Sequence, residues 1–246
     1  NTHAIAAKTM DIIMAEPAPT PSGPPFIALP TIVKIPVPTT APIPIMIKSK
    51  IVMNNSTRAV LRLDFEGKWD IISLFAAMDK NSKYLKLDFE WDNSRKNHIL
   101  YTEFELNSPI CEVFSEDMNS LIKRSFNPEY NIRENMPNKK GIEVKNNTAP
   151  MQRGLLIDEE NNNIGIITKG LTQYEIYNNK LMIPILRATG RISEPLNPAR
   201  TTPAGPPIEC EALQMSGHNS AELYVFFGNE KTFNSVMNQV YCYVIT

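Results

Sequence analysis

Short runs in which apolar and polar residues alternate restrict the fold of this 246-residue chain more than any other feature. The runs 59–65 and 84–91 alternate strictly, which is typical of half-buried β-strands. Further strands are predicted at 99–106, 152–157, 163–168, 173–177, 180–187, 221–227 and 239–245. The polar residues 92–97 predict a hairpin or meander between the strands on either side of them.

Helical patterns are weak by comparison. Residues 116–124 predict one or two amphipathic turns, and residues 230–238 are a second candidate with polar spacing. Many short strands without alternating helices favour two packed antiparallel sheets over a parallel α/β sheet. The chain is therefore predicted to be all-β, with the architecture of a large antiparallel β-sandwich.

Proline is concentrated at the amino-terminal end, where ten of the twenty prolines lie in the first fifty residues. Proline lacks an N–H donor and forces the preceding residue into extended geometry. Residues 1–45 are therefore predicted to be a Pro-rich extended arm or linker, and residues 46–246 the sandwich domain. Apolar side chains between the prolines, such as Ile27, Ile32 and Val37, indicate that the arm packs on a neighbouring surface.

Composition and charge exclude several classes of protein. Apolar residues make up 42% of the chain and charged residues 21%, as in a globular protein. The net charge of −1, without any block of like charges, does not favour binding to nucleic acid or an anionic membrane. No apolar run approaches the length of about 18 residues that a membrane span needs, and no signal peptide is recognisable. A cytoplasmic location is expected.

Residues that could carry catalysis or bind a metal are few and scattered. Glycine-rich phosphate loops are absent. His3, His98 and His218 have no partner at metal-ligand spacing, which favours ordinary hydrogen-bonding roles over a zinc site. Ser216 precedes Gly217 and His218 but lacks the Gly-x-Ser-x-Gly pattern of a nucleophile.

The cysteines, tryptophans and paired acids also favour structural roles. The three cysteines, at positions 111, 210 and 242, have no CxxC spacing and are predicted to be buried free thiols in a reducing compartment. Trp69 and Trp91 lie in strand patterns and are predicted to belong to the core. Two pairs of acids, at positions 88 and 90 and at positions 103 and 105, are predicted to lie on the solvated side of their strands.

From Pro150 onward the sequence resembles a known family. Four segments carry the resemblance: PMQRG at 150–154, GIITKGLTQYEI at 165–176, LMIPILRATG at 181–190 and NPARTTPAGPP at 197–207. In order and spacing they are similar to the carboxy-terminal region of glycoside hydrolase family 38 α-mannosidases. That family has P-x-Q-R, then N/T-K-G-L-x-E/Q-Y-E, then a strand ending L-L-R-x-x-G, then an arginine-and-AGP segment. The resemblance extends over residues 55–228, but the Asn-rich block 108–149 departs from the family's usual passage.

The resemblance implies a sandwich of the galactose mutarotase-like type that packs on a separate catalytic barrel. In that family the nucleophilic Asp and the zinc ligands belong to the amino-terminal barrel, and no segment of this sequence matches their motifs. The chain would therefore be the carboxy-terminal domain of a retaining, zinc-dependent α-mannosidase, without catalytic residues or a cofactor of its own. Its implied partners are the barrel of the same protein and mannose-containing glycans.

Four side chains are candidates for an interdomain or substrate-binding role. Arg200 lies on the proline-rich loop, where its guanidinium could hold a sugar hydroxyl or a carboxylate of the barrel; the alternative is that it pins its own loop. Gln152 and Arg153 begin a strand, and Arg187 lies near the end of another. For these three residues, hydrogen bonds within the fold are the favoured alternative.

Two other functions stay open from the sequence. A free-standing carbohydrate-binding or adhesive module would need Trp69 or Trp91 exposed beside a groove. A mutarotase-like epimerase would need a histidine, either His98 or His218, that faces a carboxylate across the sheet.

Overall fold

The computed structural model describes residues 11–14, 45–66, 70–106, 109–126, 148–159, 163–177, 179–193 and 205–241. Several predictions fall outside these residues. They concern His3, Trp69, Arg200 and Cys242, most of the proline-rich arm, and most of the proline-rich loop that carries Arg200.

Fourteen strands are present in the described residues. In chain order they are β1 (Asp11–Met14), β2 (Ile45–Asn54), β3 (Arg58–Glu66), β4 (Ile71–Asp79), β5 (Tyr84–Asn93), β6 (His98–Glu105), β7 (Ile110–Asp117), β8 (Ser120–Arg124), β9 (Thr148–Pro150), β10 (Gly154–Glu159), β11 (Asn163–Lys169), β12 (Gln173–Tyr177), β13 (Lys180–Ala188) and β14 (Gly217–Phe227). A 3-10 helix (Glu211–Gln214) precedes β14, and helix α1 (Glu230–Tyr241) follows it.

The strands form two sheets. One has five strands in the order β1-β6-β13-β12-β9, and the other has nine in the order β2-β3-β4-β5-β14-β11-β10-β7-β8. Neighbouring strands are antiparallel throughout. The predicted all-β fold, an antiparallel sandwich, is confirmed.

The main core lies between the sheets and follows from the alternation in the sequence. On β5, Leu87, Phe89 and Trp91 are no more than 4% exposed, whereas Asp88 and Glu90 between them point to the other face. One cluster joins such residues to buried residues of the five-stranded sheet. Burying each large apolar side chain contributes about 1.5–3 kcal/mol, which makes this cluster the main source of stability.

A second, smaller core lies on the outer face of the nine-stranded sheet, beneath α1. The helix buries Phe233, Val236, Met237 and Val240, which recur at the spacing of one helical face. Beneath them lie Leu156, Ile167, Tyr224 and Phe226 of the sheet. The helix begins after Asn229, whose side-chain oxygen accepts a hydrogen bond from the Thr232 N–H at 3.2 Å.

The predicted hairpin across residues 92–97 is wrong. β5 pairs with β4 and β14, whereas β6 pairs with β1 and β13 of the other sheet. The connection therefore crosses from one sheet to the other. Its turn includes Asn97 with a positive φ of 55°, and the Asn97 N–H donates to Gln214 Oε1 at 2.8 Å.

The helical turns predicted at 116–124 are also wrong. The segment is a tight hairpin in which Asp117 pairs with Ser120. Met118 and Asn119 at its tip both have positive φ, as the twist of a two-residue hairpin requires. At the other end of the chain, the helix predicted at 230–238 is confirmed, but it continues to Tyr241 through the first residues of the strand predicted at 239–245.

Burial confirms one side-chain prediction and corrects two. Trp91 is buried, as predicted for a core residue. Cys111 and Cys210 are free, but Cys111 is exposed and Cys210 half-buried, whereas both were predicted to be buried. Glu103 is 3% exposed rather than solvated, and its carboxylate forms an ion pair with Lys180 on the neighbouring strand β13, which compensates for its burial.

Candidate functional site

Gln152 and Arg153 lie just before β10 and contact the β7–β8 hairpin. Gln152 Oε1 accepts a hydrogen bond from the Met118 N–H at 3.0 Å. The Arg153 guanidinium donates to Glu116 Oε1 and Asn119 Oδ1, each at 2.5 Å. Glu116 is 2% exposed, and its hydrogen bond is the main reason that the pKa of Arg153 is raised. Both candidates are thus engaged within the fold.

Arg153 also links this hairpin to the end of α1. Its guanidinium lies over the ring of Tyr241, 5.5 Å from the centroid. The Tyr241 hydroxyl in turn donates to the carbonyl oxygen of Thr168 on β11. These contacts fasten the last residue of the helix to the sheet.

Arg187 lies apart from these residues, on β13 of the five-stranded sheet. Its side chain is exposed and donates to Gln173 Oε1 at 3.1 Å. The structure therefore does not bring Arg187 together with Gln152 or Arg153.

The segment that carries Arg200 is closed at its base, although Arg200 lies outside the described residues. Arg191 forms an isolated antiparallel bridge with Glu209. The Cys210 N–H donates to the Gly190 oxygen at 3.0 Å, and the Gly205 N–H donates to Ser193 Oγ at 3.2 Å. The two ends of the proline-rich segment are thus held side by side.

The two histidines of the described residues have different surroundings. His98 is 5% exposed, its Nδ1 has no hydrogen-bond partner among the described residues, and burial lowers its pKa. His218 Nδ1 lies 3.6 Å from Asp92 Oδ1 on the neighbouring strand, but both side chains are mostly exposed. Such an exposed pair is weak because water screens it. Neither histidine forms an enclosed acid–base site.

A shallow cavity of about 380 Å³ lies on the outer face of β3, β4, β5 and β14, beside the area that α1 covers. We call it the outer-face trough. Its polar lining consists of Arg58, Asp88, Glu90, Ser220 and Glu222. Because directly opposite residues of an antiparallel pair share one face, the register Ser220–Glu90 and Glu222–Asp88 sets these side chains next to each other.

A network of charges joins the trough to the α1-covered side of the sheet. Lys86 Nζ lies 2.9 Å from Glu222 Oε2 and 3.1 Å from Asp88 Oδ2. Lys169 Nζ lies 2.7 Å from Glu222 Oε1, which also accepts a hydrogen bond from the Tyr224 hydroxyl. The network therefore spans β5, β14 and β11 at the centre of the sheet.

The network separates the pKa values of its two carboxyls. Burial is the largest influence on Asp88 and, with the Glu222 carboxylate, raises its pKa although Lys86 opposes the change. Burial would raise the pKa of Glu222 as well, but hydrogen bonds from Lys169, Tyr224 and Lys86 outweigh it and lower the pKa to about 2. One carboxyl that retains a proton more readily thus lies beside one that stays ionised.

Glu90 and Ser220 are available for other interactions. Within the described part of the chain, neither the Glu90 carboxylate nor the Ser220 hydroxyl has a hydrogen-bond or ion-pair partner. The sequence identified Asp88 and Glu90 only as an alternating pair, since nothing in it indicates that β14 lies beside β5. The cross-strand register is what assembles the trough.

The described residues include no group of three or more His, Cys, Asp or Glu side chains that could hold a metal ion. They also include no helix that is long and apolar enough to cross a membrane.

Two solved structures share the fold of this chain. One is an alpha-mannosidase from Enterococcus faecalis V583, with 14% identity and a TM-score of 0.61; the match covers 81% of this chain and 24% of that one. The other is a protein in glycosyl hydrolase family 38 from Enterococcus faecalis, with 13% identity and a TM-score of 0.62; the match covers 81% and 25%. No protein-family model and no curated protein matches the sequence.

The predicted similarity to the β-sandwich of these enzymes is therefore confirmed at the level of the fold. The chain spans about a quarter of the length of the two proteins that it matches.

Proposed function

We propose that this chain is a non-catalytic β-sandwich domain of a family 38 α-mannosidase. The observation that carries the proposal is the shared fold over 81% of this chain, combined with a match to only about a quarter of each enzyme. The motifs at 150–207 support the same family. In the parent enzyme, the catalytic residues and the zinc would belong to a separate barrel that packs against the sandwich and binds terminal α-mannosides.

The experiment is hydrolysis of an aryl α-mannoside in the presence of zinc. The 246-residue chain is compared with the product of the complete reading frame that encodes it. We expect activity in the longer protein alone. Activity in neither protein would contradict the proposal, and activity in this chain alone would mean that its own residues are catalytic.

Arg200 is the residue that we propose to complete the active-site cleft of the parent enzyme. The closed base of its loop supports this role, because a loop whose ends are held together can present its tip to a neighbouring domain. Arg187, with its exposed guanidinium, is a second candidate for the interdomain surface. Gln152 and Arg153 remain candidates, but their hydrogen bonds within the fold give them another sufficient role.

The substitution Arg200→Ala tests this role in the complete enzyme. We expect kcat/KM to fall at least tenfold, equivalent to about 1.4 kcal/mol of transition-state stabilisation, with little change in melting temperature. Arg62→Ala, on β3 and outside the four candidate residues, is the matched control for loss of one guanidinium elsewhere. Unchanged kcat/KM in Arg200→Ala would contradict the proposed role of Arg200 in the active-site cleft.

A carbohydrate-binding module is the second candidate function, and the outer-face trough is the observation that favours it. Sugar hydroxyls bind to carboxylate and hydroxyl groups, and Glu90 and Ser220 offer both without a competing partner in the described residues. The buried position of Trp91 removes one of the two aromatic platforms that the sequence suggested. Titration calorimetry with mannose and α-mannobiose would support this function if binding were detected and abolished in Glu90→Gln. Binding that persists in Glu90→Gln would exclude the trough.

A further inference from the structure

The two sheets of the sandwich are unequal, and the larger one extends past its partner. Four residues connect β5 to β6, and residues 151–153 connect β9 to β10, so β6 lies near β5 and β9 lies near β10. β4, β3 and β2 continue the larger sheet beyond β5. On that side the five-stranded sheet has only one strand beyond β6, the edge strand β1. The inner face of β2 and β3 lies at the margin of what the smaller sheet can cover.

Exposure along one row of the sheet follows this geometry. Ile51, Leu61, Ala76 and Leu87 are directly opposite one another on β2, β3, β4 and β5, and so share the inner face. Ile51 is 66% exposed and Leu61 37%, Ala76 is half-buried, and Leu87 is 4% exposed. The exposure of the inner-face side chains therefore decreases from β2 at the edge of the sheet to β5 in the core.

A second row widens this exposed area. Met78 on β4 is 37% exposed and lies opposite Ala59 on β3, which is also exposed. We call the inner-face residues Ile51, Ala59, Leu61, Ala76 and Met78 the apolar shelf. A contiguous apolar area on a protein surface often marks a place where another segment or molecule packs.

One segment of this chain connects the two sheets at that margin. Residues 15–44 begin where β1 ends at Met14 and finish where β2 begins at Ile45. Packed sheets are about 10 Å apart, whereas thirty proline-rich residues in extended form can span roughly 90 Å. The connection is thus far longer than the passage between the sheets requires.

The connection contains an apolar stretch that is suited to packing on an apolar surface. Residues 26–37, with the sequence FIALPTIVKIPV, contain one charged residue, Lys34. The flanking prolines lack N–H donors, which disfavours addition of the segment as a full strand at the β2 edge. Contact through side chains on the sheet face is compatible with proline.

We propose that residues 26–37 of this chain cover the apolar shelf. The segment starts and ends at strands that flank the shelf, and its side chains are of the same apolar character. The shelf is then an internal docking surface, occupied by the chain's own proline-rich arm rather than by another molecule.

Tryptic cleavage after Lys34 tests the proposal, because the Lys34–Ile35 bond lies within the proposed docked segment. Cleavage of the intact chain is followed by mass spectrometry and compared with a synthetic peptide of residues 26–37. We expect the chain to be cut at this bond at least tenfold more slowly than the peptide. Cleavage at the peptide's rate would overturn the proposal.

Variants of the shelf supply the matched comparison. Leu61→Asp is expected to speed cleavage after Lys34 at least tenfold, although the substitution is remote from the bond in sequence. The control is Ile122→Asp, at the opposite edge of the same sheet with 39% exposure, which should leave the rate unchanged. Ile51→Asp, at the most exposed shelf position, replaces Leu61→Asp if circular dichroism shows that the latter does not fold.

Slow cleavage that persists in the folded shelf variants would overturn the proposal. So would a dimer, measured by light scattering, that dissociates in Leu61→Asp while cleavage after Lys34 stays unchanged. That second result would assign the shelf to another copy of the chain.

Discussion

The outer face of the nine-stranded sheet has two halves, of which one is covered by helix α1 and the other is open to solvent. Over β10 and β11 the apolar outward side chains Leu156 and Ile167 lie beneath α1, whereas over β3, β4 and β5 the outward side chains form the open, charged trough. β14 belongs to both halves. Its outward residues run from Ser220 and Glu222 in the trough to Tyr224 and Phe226 beneath the helix.

The two halves show what a strand needs when its inner face is buried and its outward residues are either charged or apolar. A strand whose outward positions are charged can remain uncovered, because water and cross-strand ion pairs satisfy those side chains. A strand that is apolar on both faces needs a second layer, and α1 is long enough to supply one. The covered half should therefore be sensitive to loss of volume, and the open half to charge and pH.

The largest effect is expected from Phe233→Ala, in the covered half. Phe233 is 1% exposed and lies 6.1 Å from Phe226, measured between ring centroids. Removing a buried phenyl ring leaves a cavity and should lower the free energy of unfolding by about 3–5 kcal/mol, measured by urea denaturation. Asn238→Ala, on the exposed face of the same helix, is the control. A loss below about 1 kcal/mol in Phe233→Ala would mean that α1 contributes little to the fold.

An intermediate effect is expected from Gly165→Ala, which adds volume to the same half. A Cβ atom at Gly165 would lie 2.1 Å from the Phe226 ring, so that ring would have to move. Overpacking of this kind should reduce stability by about 1–3 kcal/mol in the same assay. Gly205→Ala is the control, because a Cβ there meets no atom within 4 Å. Equal stabilities of the two variants would contradict the close contact of strand and ring.

The smallest effect, and the one specific to the open half, concerns the pH dependence of stability. The pKa of Glu222 falls from 4.5 to about 2 on folding, so its ionised form stabilises the protein above pH 4.5. This contribution is lost as the pH falls from 4.5 towards 2. Glu222→Gln should therefore be less stable than the wild type by about 1–2 kcal/mol at neutral pH, with a difference that shrinks in that interval.

The control for the pH experiment is Glu90→Gln, which removes a carboxyl that has no ion-pair partner among the described residues. Because this substitution removes no ion pair of the described residues, its stability at neutral pH should stay close to that of the wild type. If both variants showed the same pH profile, the Lys86–Glu222–Lys169 network would have no special role in stability.

Much of the fold could be predicted because burial follows local alternation. Leu87, Phe89 and Trp91 occupy every second position, and that pattern is sufficient to assign them to one buried face. Pairing of strands is a different matter. The polar turn at 92–97 has the composition of a hairpin, but the same residues can equally carry the chain to the other sheet, and tertiary packing decides between the two.

The errors at 116–124 and 239–245 arise from weak local preferences. In the turn between Asp117 and Ser120, Met118 has a positive φ. A glycine at that position would have indicated a turn, but the sequence has none there. Val240 and Tyr241 favour strands by type, but Val240 completes the apolar face of α1 that Phe233 begins. The trough could not be predicted at all, because Glu222 reaches Lys86 and Asp88 only through pairing of β14 with β5.

The central place of β14 has a consequence for the order of folding. Among the described strands β14 comes last in the chain, yet it is inserted between β5 and β11, with Gly217 opposite Asn93. Until residues 217–227 are synthesised, this sheet can form only two separate ribbons, one of β2–β5 and one of β7, β8, β10 and β11, and the β5 and β11 edges stay unpaired. Closure of the larger sheet therefore waits for β14, and a product truncated before β14 would present two unpaired strand edges to the protein quality-control machinery.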